Sequence, residues 1–480
     1  MKTTASQTLQ TGNPLGYKPI GGLLLSFALP STISCLVNSV YNIVDQIFIG
    51  QGVGYLGNAA TTVSFPIATI LMAFATMIGS GGSAYAAIKL GQGEEEEAQR
   101  TLSGVLGLSV LIGIACAVLG LVFLEPILRM FGATDAVMPY AKDYTSIMLL
   151  GAPFSVIGVG LSNMARTDGS PRLSMYGILI GAVLNSILDP LYIFVLHWGV
   201  KGAAVATITS QILSALIMLT YFSHAGKRPD HMRFTRRYLR RPTGRVLGKI
   251  LTLGVSSGIT SGVACIMQVV MNNSLVHYGD QSAVGGEVAL SAMGIVMKFT
   301  MILGSVAIGI GVGSQPILGF NLGAGHFHRI RKTYLTAALS ATISISLCWV
   351  LCQLFPYGIV GIFGGGNPQF TEFAVKCLRV YLFGIFCAGF QIVSTNYFQA
   401  TGQPLKASIL SMLRQLLLLI PLIVILPMFF GLDGILFAGP TADILSAVIV
   451  ALFIIPEMKK LQAKVREEDS AADALKVQTV

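Results

Sequence analysis

Residues 176–196 read YGILIGAVLNSILDPLYIFVL. The run is long enough to cross a bilayer as a helix, which takes about 20 apolar residues. Yet it contains a carboxylate, Asp189, followed at once by Pro190. A charge at the bilayer centre costs about 2.5–3.5 kcal/mol on insertion scales. Proline removes a backbone donor and frees the carbonyl four residues before it, here that of Ser186. Asn185 lies four residues before Asp189, so both side chains leave one face of a helix. A freed carbonyl beside an amide and a carboxylate makes an oxygen-rich pocket. The alternative is a structural kink, with Asp189 capping a neighbouring helix.

Similar apolar runs recur along the chain. Of its 480 residues, 53% are apolar and only 11% are charged, with a mean hydropathy of +0.73. Soluble domains carry about 25% charged residues. Twelve spans are predicted, at residues 21–49, 59–88, 102–123, 138–161, 173–195, 203–222, 246–276, 288–318, 333–355, 370–398, 405–430 and 435–455. None alternates with a period of two, so a barrel is excluded and the spans are helices. The expected fold is an all-α integral membrane protein.

The net charge of +10 does not point to nucleic acid, because the basic residues fall in alternate loops. Lys89, Arg100, Arg166, Arg172, Arg233, Arg237, Arg329, Arg331 and Lys332 lie in one set, as do Lys227, Arg228, Arg236, Arg240 and Arg241. The opposite loops, such as GQGVGYLGN (51–58 with Gly50 before it), are nearly free of them. The positive-inside rule makes both termini and the basic loops cytoplasmic, in a multi-pass protein of the cell membrane. An even number of spans requires the same. Residues 1–16 lack a cationic stretch leading into a short apolar core, so no cleavable signal peptide is expected. The seven cysteines all fall inside spans without metal-ligand spacing.

The hydrophilic stretch 225–245 divides the spans six and six, and the two sixes look like copies. A shift of 232 pairs Gly79 with Gly311, Gly91 with Gly323, Gly93 with Gly325, and Gly199 with Gly431. A shift of 233 pairs Asn163 with Asn396 and DGSP (168–171) with TGQP (401–404). The expected organisation is a mobile tail (1–16), an N-lobe (17–224), a basic cytoplasmic linker (225–245), a C-lobe (246–456) and a second tail (457–480). Direct repeats across an even number of spans imply an axis along the membrane normal, with a cavity between the lobes.

Polar residues inside spans are the candidates for function. In the first half they are Asp45, which shares a helix face with Asn38 and Asn42, and the fifth-helix set Asn185, Asp189 and Pro190. Asp45 could instead sit near the outer surface, since its span ends a few residues later. The sixth helix adds Thr207. The second half has Gln268 and Asn272 in the seventh helix, Lys298 in the eighth, Arg414 in the eleventh and Asp443 in the twelfth. Arg414 and Asp443 could pair. Near the counterpart of Asp189 that half is apolar, at Pro421 and Leu422, so the acidic site belongs to the first half. No P-loop, HExxH or GxSxG context lies at a membrane boundary, which argues against an ATP-driven pump and against an enzyme.

YNIVDQIFIG (41–50), ARTDGSPRLSMYGILIGAVLNSILDPLYIF (165–194), GVKGAAVATITSQ (199–211), GIGVGSQPILGFNLGAGHFHRIRK (309–332) and QATGQPLKASIL (399–410) occur in this order. Together they resemble the multidrug and toxic compound extrusion (MATE) family over residues 21–456. The resemblance implies a two-lobe antiporter exporting amphipathic, often cationic, small molecules. It is most similar to the bacterial and archaeal branch with an N-lobe coupling site, which maps onto Asp45, Asn185, Asp189 and Thr207. No cofactor is implied beyond the transported H⁺ or Na⁺. The partners implied are small-molecule substrates and the lipid bilayer, with the chain acting as a monomer. A lipid-linked precursor flippase of related architecture is the rival reading. It requires several cationic side chains in the central cavity, for which Lys298 and Arg414 are the candidates.

Overall fold

The computed structural model describes residues 13–53, 55–224, 231–235, 237–238, 243–362 and 368–477. Twelve helices among them are long and apolar enough to cross a membrane. The first six are α1 (Ile20–Val53), α2 (Tyr55–Gly91), α3 (Glu95–Val122), α4 (Met138–Thr167), α5 (Pro171–Val195) and α6 (Gly199–His224). The second six are α7 (Gly244–Asp280), α8 (Gly286–Gly323), α9 (Phe327–Leu354), α10 (Phe370–Ala400), α11 (Pro404–Phe430) and α12 (Leu432–Val477). Several exceed the expected spans by a turn or two. Hydropathy marks only the part of a helix that lipid must cover, and polar turns continue it into the interface.

The internal repeat is visible in the packing. Gly79 packs against the Asn163 amide, and Gly311 against that of Asn396. Gly93 and Gly325 end their loops with φ of 76° and 75°, a conformation that favours glycine. The halves meet chiefly where α2 lies on α7 and α1 on α8. The repeat relates α2 to α8 and α7 to α1, so these two contacts are equivalent. The α2 and α8 ends cross with Gly91 against the Phe320 carbonyl and Gly323 against the Ile88 carbonyl. The 232-residue shift turns one of these contacts into the other. A Cβ at either glycine would collide with backbone, so the close crossing depends on both.

The packing also interlocks the two halves of the sequence. Ile20, Leu23, Leu24 and Phe27 at the start of α1 are buried in the apolar cluster of the second half. Val246 and Ile250 at the start of α7 are buried in a cluster of the first half. The expected boundary at residue 246 therefore follows the hydropathy, while this end of the molecule follows the exchange. Polar bridges reinforce it. Ser39 and Ser305 hydroxyls lie 2.7 Å apart. Ser257 donates to Ser80 at 3.1 Å.

Three expected flanking segments are partly among the described residues. Residues 1–12 of the amino-terminal tail lie outside the described residues, but Pro14–Tyr17 forms a short helix with Leu15 buried. The Leu15 carbonyl accepts from Asn321 and Arg329, at 3.1 and 3.0 Å. The sequence does not mark this because one leucine among polar residues carries no hydropathic signal. Residues 457–477 continue α12 rather than forming a separate tail. Of the linker, Lys227, Arg228, Arg236, Arg240 and Arg241 lie outside the described residues. Met232 is buried, and its backbone N–H donates to Asp168 at 2.6 Å.

Candidate functional site

Asp45 projects from α1 toward α5, and α5 and α6 lie side by side. Asn185 and Asp189 are buried on one face of α5, as their four-residue spacing requires. The Asn185 amide donates to Asp189 Oδ1 at 3.2 Å and to Thr207 Oγ1 of α6 at 3.3 Å. The Asp45 and Asp189 carboxyls are near enough to interact across α1 and α5. The structure thus brings together residues separated by up to 162 positions (45 to 207) in the chain.

Three oxygens in this cluster are buried and receive no donor from the described residues: Asp45 Oδ1, Asn185 Oδ1 and Asp189 Oδ2. Buried acceptors are nearly always paired, so three bare ones on α1 and α5 are unmet acceptors that call for an explanation. Two carboxyls side by side need either a shared proton or a cation between them. The donor set of two carboxylates, an amide oxygen and a hydroxyl is hard and oxygen-only, which suits a proton or an alkali cation and not a soft metal. Among the described residues, no group of three or more His, Cys, Asp or Glu is placed to hold a metal ion.

Pro190 continues the α-helical turn, and the helix then widens into a π-turn over Leu191–Val195. π-turns inside α-helices arise where the regular ladder is interrupted. The π-turn packs Ile193 against Ile49 of α1 and Ala203 of α6, with Phe48 and Tyr144 on the rim. Tyr41 of α1 and Tyr144 of α4 both lie close enough to feel the Asp45 and Asp189 charges. Sequence reasoning passed over both, since tyrosines in membrane helices are common; the only available signal was Tyr41 lying four residues before Asp45.

The other candidates disperse. Asn42 is exposed and donates to the Asn38 carbonyl at 2.6 Å. Gln268 donates to Asn272 at 2.9 Å within α7. Arg414 of α11 is paired with Asp443 of α12, through Arg414 Nε and Asp443 Oδ1. Lys298 lines a cavity of about 510 Å³ with Gln46, Gln51, Thr61 and Thr62.

This arrangement can be set beside known proteins. The MatE family model matches residues 30–191 and again 257–425, which together cover more than half of the chain. The chain belongs to the MATE family of transporters. The double match falls on the two halves of the repeat. Among MATE relatives, the multidrug export protein MepA of Staphylococcus haemolyticus is 27% identical over 440 residues, spanning 91% of this chain and 93% of that one. MepA of Staphylococcus aureus (strain MSSA476) is 26% identical over 436 residues, spanning 91% and 94%. A solved structure described as the outward-facing conformation of a multidrug resistance MATE family transporter superposes with a TM-score of 0.86 at 23% identity. It covers 96% of this chain and 100% of that one, and shows the same fold. The protein is accordingly a multi-pass membrane transporter and not an enzyme.

Proposed function

We propose that this MATE protein is a cation-coupled antiporter that exports amphipathic, drug-like molecules by alternating access of its two lobes. The observation that carries the reading is the trio of buried, donor-less oxygens on Asp45, Asn185 and Asp189. The transported H⁺ or Na⁺ neutralises the Asp45–Asp189 pair, with Asn185 and Thr207 completing the oxygen set. The relatives named as multidrug export proteins support the drug-like cargo. Positive-inside charge supports placing both termini, and the Gly91–Gly323 crossing, on the cytoplasmic side.

α1 supplies the coupling. Asp45 turns to α5, while Ile43, Gln46, Ile47 and Gly50 of the same helix line the cavity. A helix is a stiff body, so loading or releasing a cation on one face of α1 repositions the cavity wall on the other. The closed seam at the α2–α8 crossing and the cavity at the opposite end describe one of two alternating states. The driving force is sufficient: about 2.3 kcal/mol per charge per 100 mV, plus about 1.4 kcal/mol per tenfold ion gradient. Together these sustain a several-hundredfold outward accumulation of a neutral drug per cation.

The flippase reading loses one of its two cavity cations, because Arg414 is paired with Asp443. The deciding experiment is dye efflux from proteoliposomes under an imposed pH gradient or an imposed Na⁺ gradient, one at a time. Efflux driven by neither gradient defeats the antiport reading.

A further inference from the structure

The two halves are finished differently at the end where Gly91 and Gly323 cross. In the first half, the turn after α4 is covered by the chain's own linker. Asp168 is buried there and accepts from the Met232 N–H and the Tyr221 hydroxyl, both at 2.6 Å, with His231 Nδ1 at 2.7 Å. The 233-residue shift carries Asp168 to Thr401, in the turn after α10. The Thr401 hydroxyl donates to the Tyr397 carbonyl at 2.8 Å. A cavity of about 210 Å³ lies against it, walled by the ends of α8, α9 and α10 and by α12. α12 reaches this place because it runs on as a helix to Val477, past the end of its apolar run.

The charge around this cavity is positive. Lys460 and Lys464 of α12 line it one turn apart, with Glu457 as the lining carboxylate. Glu457 accepts from Gln403 at 2.7 Å and from Lys406 at 3.0 Å. Lys460 lies one turn along α12 from the same carboxylate, and Lys464 rests over the Phe327 ring, 4.9 Å from its centroid. Three ammonium groups thus gather about one carboxylate, a surplus of two charges. Glu468 is turned to the His328 N–H at 3.1 Å and does not line the cavity. The rest of the wall is largely apolar and aromatic, from Leu322, Ile330, Phe327 and Tyr397.

We infer that this cavity binds the phosphate headgroup of an anionic phospholipid, held between Lys460 and Lys464, with the glycerol against the apolar wall. A phosphodiester gives ammonium groups a charged acceptor, and basic pockets at the ends of membrane helices suit such headgroups. A free phosphate has no use for the aromatic wall. A cavity of this size admits a headgroup and leaves the acyl chains in the bilayer. The site is separate from the Asp45–Asp189 cluster and from the cavity beside α1. It draws on the antiport reading only for its placement in the cytoplasmic leaflet.

The test measures equilibrium binding of dioctanoyl phosphatidylglycerol and dioctanoyl phosphatidylcholine to the full-length protein in detergent, by native mass spectrometry. The wild type should bind the phosphatidylglycerol more tightly. Lys460→Gln combined with Lys464→Gln should weaken it by about tenfold and leave the phosphatidylcholine within about twofold. Lys460→Arg combined with Lys464→Arg should keep the preference. Lys459→Gln removes an exposed charge that does not line the cavity, and should change neither lipid. Phosphatidylcholine binding and unchanged melting are the controls that each variant is folded. Equal binding of the two lipids by the wild type overturns the inference. So does an equal loss in Lys459→Gln, because binding would then follow net charge and not the cavity. Displacement of phosphatidylglycerol by equimolar inorganic phosphate also overturns it, since the site would then take a soluble anion. No ion gradient is applied, so this result and the antiport reading fail separately. Asp189→Asn should lose efflux and bind both lipids as the wild type does.

Discussion

Corresponding helix pairs of the two halves carry their buried charges at different places and in opposite ways. In the first half, Gly181 of α5 packs against the Ser210 carbonyl of α6, one turn from the buried Asn185 and two from Asp189. A shift of 233 carries Gly181 to Arg414 and Ser210 to Asp443, the ion pair between α11 and α12. Where the second half sets a carboxylate against a fixed guanidinium, the first keeps two carboxyls and supplies no cation. A permanent counter-charge locks two helices together; a missing one leaves the helices answerable to whichever ion arrives. On the antiport reading proposed above, one fold unit, duplicated, holds a fixed ion pair on one side and an ion-responsive pair of carboxyls on the other.

The largest effect should come from removing the responsive site. Asp45→Asn and Asp189→Asn should each bring gradient-driven dye efflux in proteoliposomes down to that of protein-free vesicles. Both variants should melt no lower than the wild type, because the side-by-side carboxyls are themselves unfavourable. Wild-type efflux from either variant would erase the contrast between the halves.

Next is the locked pair. Arg414→Ala strands a buried carboxylate and should destabilise the protein by about 3–5 kcal/mol, measured by unfolding in detergent. Replacing both partners, with Arg414→Met and Asp443→Leu, should recover most of that stability and leave efflux intact. Loss of efflux in a stable double variant would mean that the second half also responds to the ion. Smaller still is a wedge in the seam. Gly91→Val or Gly323→Val should cost about 1–3 kcal/mol by overpacking and lengthen spin-label distances between the α2 and α8 ends. The two should act alike, since the repeat makes their contacts equivalent.

Within the acidic cluster, Thr207→Val removes one hydrogen bond to Asn185, worth about 0.5–1.5 kcal/mol. It should raise the half-saturating cation concentration several-fold without abolishing efflux. The smallest change is expected at the surface. Glu125 is exposed; it accepts from Lys142 at 2.6 Å and from Arg129 at 3.4 Å. The Lys142 ammonium, then Arg129, holds its carboxyl below the usual range. Any stability from that pairing is present at neutral pH and is lost only as pH falls through the depressed value. Glu125→Gln should leave both melting and efflux unchanged, as exposed ion pairs contribute little.

Much of this was legible in the chain. The twelve spans follow from the length and apolarity of the runs, because lipid demands an internally bonded helix wherever a run is long enough to cross. The repeat follows from glycines and turn motifs recurring at one offset. Asn185 and Asp189 announced each other by a four-residue spacing that puts any two side chains on one helix face. The family came from motifs strung in order.

What the sequence left open is which way each helix turns and what it meets. Asp45 could have faced water, and only packing of α1 on α5 brings it to Asp189. Lys298 and Arg414 were equivalent in the sequence, intramembrane cations in the same half; the structure puts Arg414 against Asp443 and Lys298 on a cavity wall. Nothing in the run of residues foretold that α1 begins among the apolar residues of the second half, or that Leu15 docks there. Hydropathy is a property of a segment against its solvent, so it can be read locally. The facing of a side chain is a property of two segments, and it is settled only when distant parts of the chain come into contact.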